Sequence, residues 1–189
     1  MTRLDPITED DLDERQRAFL DQINQGDRAR RHGRLGLVGP FGVWARAPHV
    51  GEPAQRLGAT LRFGTSLPDP VVEAAVCTVG AHHRARFEFA AHRRLGLAAG
   101  LSEASLDRLQ AGEDPGFEGD EAVAHTVATE LTAGSRLTSA TYARAVEAFG
   151  EAGLIELVTL VGYYGLISFT LNAFDIELED GMVDPFPDD

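Results

Sequence analysis

The chain of 189 residues contains no lysine; all seventeen of its basic residues are arginine. Without a lysine amine, Schiff-base catalysis is excluded. A single cysteine, Cys77, rules out an internal disulfide, and a reducing cytoplasm is the expected setting. Positive charge is scarce: seventeen basic residues stand against thirty acidic ones, giving a net charge of −13 and a pI near 4.8. Phosphate binding needs a basic surface, so neither nucleic acid nor an anionic membrane is an expected partner. The N-terminus lacks a basic segment followed by an apolar run, so no signal peptide is expected. The one long apolar stretch, 154–174, is interrupted by Glu156, Thr159, Tyr163, Tyr164 and Asn172, and by Gly162 and Gly165. Those residues argue against a membrane span and for a helix buried in a core or an oligomer interface.

No segment alternates apolar and polar residues with period two, so no strand is expected. What is present reads as helices joined by short turns. The length and the 43% apolar content suit one all-α domain, a single-domain helical bundle over residues 1–189. The pattern predicts helices over 8–24, 49–64, about 70–84, 86–99, a short one after Ser102, then 120–134, 138–149 and 151–173. Leu12, Phe19, Leu20 and Ile23 form the expected buried side of the first, and Leu57 and Leu61 that of the second. Ser66 or Asp69 is the expected N-cap of the third, with a proline just inside. Gly100 should end the helix that carries His92. The intervening segment 25–40, with its basic run RARRHGR, reads as a loop, and one of that length is often functional. Acidity collects at both ends, and the tail from about 175 to 189 is expected to be solvated and loosely ordered.

The segment Pro70–Leu101 carries the chemistry. Glu88 and His92 are four residues apart, which puts them on one helical face. Glu73 lies nineteen residues before His92, on the preceding helix. Two carboxylates and an imidazole in an apolar setting make a proton-transfer site. Each has a plain structural alternative. Glu88 can be an exposed i,i+4 partner, His92 a structural histidine, and Glu73 a carboxylate favoured by the helix dipole. His82 and His83 do not form a compact zinc pattern with Glu88 and His92, so no metal is expected. Cys77 reads as a small core residue. Arg62, Arg84 and Arg86 are candidate cations for an anionic substrate, with solvated surface arginines as the alternative. Trp44, Phe41, Phe87 and Tyr163 are candidate pocket residues, and ordinary core packing explains them equally well.

The same segment resembles the carboxymuconolactone decarboxylase family, which includes the AhpD-like peroxidases. The peroxidase branch carries Glu, eleven residues, Cys, two residues, Cys, three residues, His. Here Glu73 and His92 occupy the outer places with the spacing intact, while Ala85 and Glu88 stand where the cysteines would be. The run FEFAAHRRLGLAAGLSEASLDRL from Phe87 is similar to the decarboxylase-like branch. GPFGVWARAPHV from Gly39, LGATLRFG from Leu57 and LIELVTLVGYYGLISFTLNAF from Leu154 extend the resemblance over most of the chain. It implies an AhpD-like helical fold and cofactor-independent acid–base chemistry on a small molecule, plausibly decarboxylation of a lactone or organic acid. It implies no metal, and a homo-oligomer, commonly a trimer or hexamer, with sites near subunit interfaces. Peroxide reduction with another reductant, and a non-catalytic binding or assembly role, are the alternatives. With one cysteine, a thiolate and its resolving partner cannot both come from one chain.

Overall fold

A computed structural model describes residues 2–26, 29–30 and 33–187. Among these the chain forms α1 (Glu14–Gln25), α2 (Pro40–Trp44), α3 (Pro48–Phe63), α4 (Asp69–His82), α5 (Arg86–Ala99), α6 (Glu103–Gln110), α7 (Gly119–Gly134) and α8 (Ser139–Ala173), and no strand. Of the basic run, Arg28, Arg31 and His32 lie outside the described residues.

Helix α4 is the axis of the fold. Every residue from Val71 to Gly80 is buried, and α5, α6, α7 and α8 all pack on it. A helix apolar on all sides has only an interior to occupy. Its valines are mediocre helix formers, so burial rather than propensity holds it. Glu73 is the one charged residue in that buried run.

Local chemistry sets most boundaries. The expected first helix is cut in two: a 3₁₀ turn at Glu9–Asp11 is followed by Asp13, which caps α1. Asp13 accepts from Gln16 N at 2.8 Å while its own N–H donates to the Gln16 side chain at 2.9 Å, a reciprocal box that starts a helix afresh. Gly100 ends α5 in the left-handed region, with φ at 104°, and Leu101 N donates back to Gly96 O at 2.9 Å, as glycine caps do. Ser102 and Thr138 cap α6 and α8. Gly150 breaks α8 where two helices were expected, with φ at 69°.

Three expectations fail. Pro68, not Ser66 or Asp69, is the N-cap of α4; Ser66 instead bonds Glu156 through both N and Oγ. Leu57 is 43% exposed. The buried stripe of α3 is Pro48, Gly51, Gln55, Gly58 and Leu61, because this helix approaches its neighbours through glycine. A Cβ at Gly58 would sit 2.1 Å from the Tyr163 hydroxyl. Finally, the C-terminal segment is not loose. It folds back as a strap, with Phe186 buried 5.3 Å from Phe89. Arg86 bonds both Asp175 (2.9 Å) and Asp184 (3.1 Å), and Gln110 donates to Pro185 O at 2.8 Å.

Helix α8 is long and apolar enough to cross a membrane by length and composition, but half of its most apolar window is buried inside the protein. It packs along α4 and α7 and leaves Ile155, Val158, Leu166 and Phe169 exposed.

Candidate functional site

Glu73 enters the site from the middle of α4. Because α4 begins at Asp69, Glu73 lies beyond the first turn, and the dipole explanation for it falls away. Opposite it on α5 is Gly96, where a Cβ would lie 3.7 Å from Glu73 Cβ. That close approach brings the next turn of α5, with His92, against the carboxylate. His92 Nδ1 lies 2.7 Å from Glu73 Oε2, and His92 Nε2 lies 3.0 Å from Glu88 Oε1 one turn back. Arg62, in the last turn of α3, donates to the other oxygen, Glu73 Oε1. The edge of Tyr164 on α8 closes on the imidazole, centroid to centroid 5.0 Å at 80°. Glu73, Glu88 and His92 are all buried.

Four ionisable groups thus form one buried chain, Arg62–Glu73–His92–Glu88. With His92 protonated the chain carries no net charge, the condition under which a buried cluster is tolerated. Burial pulls the His92 imidazole down, but the Glu73 and Glu88 carboxylates more than reverse it, and its pKa is raised above the ordinary 6.5. Burial pushes Glu73 up, but His92 and Arg62 outweigh it and leave its pKa below the ordinary 4.5. Burial works against the Arg62 guanidinium too, but the Glu73 carboxylate beside it holds it firmly charged.

At 3.0 Å, His92 Nε2 is close enough for its imidazolium N–H to face the Glu88 carboxylate directly. Both residues form part of the wall of a cavity of about 170 Å³, together with Arg62, Phe87 and Tyr163. The cavity's size matches the roughly 150 Å³ that holds a benzene ring.

The structure brings Glu73, Glu88, His92, Arg62, Phe41, Phe87 and Tyr163 to the cavity or its buried chain. Trp44 is elsewhere. It is 5% exposed and packs edge-on to Phe41 at 6.2 Å and against Gly51 of α3, so it serves the core. Arg84 is elsewhere too. It sits in the turn after α4 at φ 46°, which aims its guanidinium over the Phe186 ring at 4.8 Å. Arg86 is taken up by the strap. Cys77 is fully buried, and burial, with Glu73 and Glu88, pushes its thiol well above the ordinary value. Among the described residues no cluster of His, Cys, Asp and Glu could hold a metal ion.

Sequence reasoning missed Tyr164, Arg94, Glu179 and Met182, all four of which form part of the cavity wall. Tyr164 could have been found from its place beside Tyr163. The two strap residues carry no local signal of a site.

This helical bundle has counterparts among solved structures. The alkylhydroperoxidase AhpD core of an uncharacterized peroxidase-related protein from Ralstonia eutropha JMP134 superposes with a TM-score of 0.76, at 13% identity over 95% of this chain and 93% of that one. An uncharacterized peroxidase-related protein from Silicibacter sp. TM1040 gives 0.74, at 12% identity over 96% and 93%. The chain has the AhpD-like fold. At these identities the likeness is one of AhpD architecture and not of chemistry. No family model matches the chain, and no curated protein matches it.

Proposed function

We propose that this AhpD-like protein is a cofactor-independent acid–base enzyme, a lyase-type catalyst that decarboxylates a small lactone or organic acid. The observation that carries the reading is the buried, charge-balanced chain ending at a cavity wall, with His92 Nε2 3.0 Å from Glu88 Oε1. In such a reaction the bond to the carboxylate carbon breaks and its electron pair passes into the conjugated carbonyl. CO₂ leaves, and the resulting dienolate takes a proton on carbon. His92 and Glu88 supply that proton and regain one from water. Glu73, behind the cavity wall, keeps the imidazole oriented and charged, while Arg62 holds Glu73 and faces the cavity, where it can meet an anionic group of the substrate. The small-molecule substrate is of about one ring, by the size of the cavity. The resemblance also carries a homo-oligomer, trimer or hexamer, and the exposed apolar face of α8 is the surface offered for it.

The test is CO₂ release and solvent-deuterium uptake across a panel of unsaturated lactone acids, with His92→Gln beside the wild type. We expect His92→Gln to lose at least about a hundredfold in rate, the usual worth of a positioned acid–base group. Equal turnover by the variant removes His92 from the mechanism. The peroxidase-related names of the two neighbours favour a second reading, peroxide reduction. Against it stands the thiol: there is one, Cys77, and it is buried and held protonated. Thiol-dependent peroxide consumption that Cys77→Ala abolishes would restore that reading.

A further inference from the structure

The cavity beside His92 has two kinds of wall. Its inner wall is helical and holds Arg62, Glu88, His92 and Tyr164. Its outer wall is irregular chain, and includes Glu179 and Met182 of the C-terminal strap. On the far side of the strap lies a groove of about 580 Å³ between α5, α6 and the strap itself, with Leu97 and Gln110 on its floor. Arg94, Glu179 and Met182 belong to both spaces. Arg94 and the strap therefore stand between the groove and the cavity, each of which is also open to solvent on another side, and Met182 is the apolar part of that divide.

The strap is held at Asp175, Asp184 and Phe186, and between them Ile176, Leu178 and Met182 lie half-buried against the core. Asp175 and Asp184 both bond Arg86, whose side chain is 33% exposed; such surface pairs are weak and exchange readily. The firm anchor is Phe186, 3% exposed and held between Phe89 and Arg84. Between the pins, Met182 N donates to Glu179 O at 3.0 Å, and Gly181 takes φ +87° with no atom near its missing Cβ. Val183 is 83% exposed. A span of this kind opens at far lower cost than the helices around it.

We propose that Met182 is the specificity-determining side chain of this site: it sets the size of ligand the cavity accepts, and it closes the route from the groove to His92 until the strap span around it lifts with Phe186 as its anchor. This rests on the cavity being the ligand site. Neither readout below needs turnover, so failure of the proton-transfer reading leaves the test standing.

The first readout is the rate at which diethyl pyrocarbonate modifies His92, followed by peptide mass spectrometry at one mildly alkaline pH. Met182→Ala joins groove to cavity, and Phe186→Ala frees the anchor. Each should raise the rate about tenfold or more, as expected when a local opening becomes easier, while Met182→Trp should lower it. The second readout is the shift of the His92 imidazole signals on adding phenol or 1-naphthol. Wild type should admit the single ring and exclude the fused pair; Met182→Ala should admit both. Half-buried Met182 tolerates truncation, so that variant keeps the test valid where Phe186→Ala does not fold. His92 modification within about twofold of wild type in Met182→Ala overturns the proposal, because an opened partition must show as faster access. So does 1-naphthol entering wild type as readily as the variant.

Discussion

Replacing Glu73 with glutamine removes the charge that joins Arg62 to His92 and leaves every atom nearly in place. The amide oxygen can accept from Arg62 or from His92 Nδ1 but its NH₂ then faces the other donor, and two buried cations are left facing only Glu88. Removing one partner from a buried, hydrogen-bonded ion pair costs about 3–5 kcal/mol. In a domain of this size each kcal/mol moves Tm by roughly 2–4 °C, so the variant should melt about 6–20 °C lower. The pH dependence is a sharper check. The folded His92 pKa is raised above its ordinary 6.5, so its stabilisation is complete below 6.5 and fades as pH climbs through the folded value. The folded Glu73 pKa lies below its ordinary 4.5, so its stabilisation is complete above 4.5 and fades as pH drops through the folded value. The chain therefore stabilises the fold most between 4.5 and 6.5. Thermal unfolding from about pH 4 to about pH 9 should show wild-type Tm falling on the alkaline side more steeply than that of Glu73→Gln. Proton NMR of the His92 ring should show its pKa falling in the variant. A Tm within about 2 °C of wild type, with the same slope against pH, would refute the account of a coupled buried chain.

Two more outcomes follow from the packing. Gly58→Ala places a Cβ 2.1 Å from the Tyr163 hydroxyl, forcing that ring out of the cavity wall. A cost of about 1–3 kcal/mol is expected by calorimetry, and an unchanged Tm would mean α3 and α8 do not meet at that glycine. Cys77 is sealed in the core, so a thiol reagent should label it only when denaturant unfolds the chain; rapid labelling of the native protein would contradict its burial.

The helical bundle was legible because buried helices write themselves in apolar residues. α4 shows as DPVVEAAVCTVGAH and α5 ends at a glycine, so their bounds come close to expectation. The Glu73–His92 spacing and the Glu88–His92 turn pointed to one place for the same reason: helix periodicity converts sequence distance into direction. Where the fold uses glycine as its contact surface, that signal disappears. Leu57 on α3 looked internal because it is apolar, while Gly51 and Gly58, which make the contact, look like nothing. Trp44 as an aromatic and Arg84 as a cation suit a pocket by residue type, and residue type does not say which way a side chain turns.

The amino-acid sequence by itself determined the all-helical architecture, the lack of a second thiol and the three polar groups set into apolar helices, since each of these is a matter of composition or of period within one helix. Only the tertiary structure decided that Arg62 completes the chain through Glu73, that Tyr164 covers the imidazole, and that the acidic end of the protein turns back to wall the cavity with Met182. Those contacts join residues far apart along the backbone, and they depend on helix crossing and on the anchoring of Phe186, which no local pattern encodes.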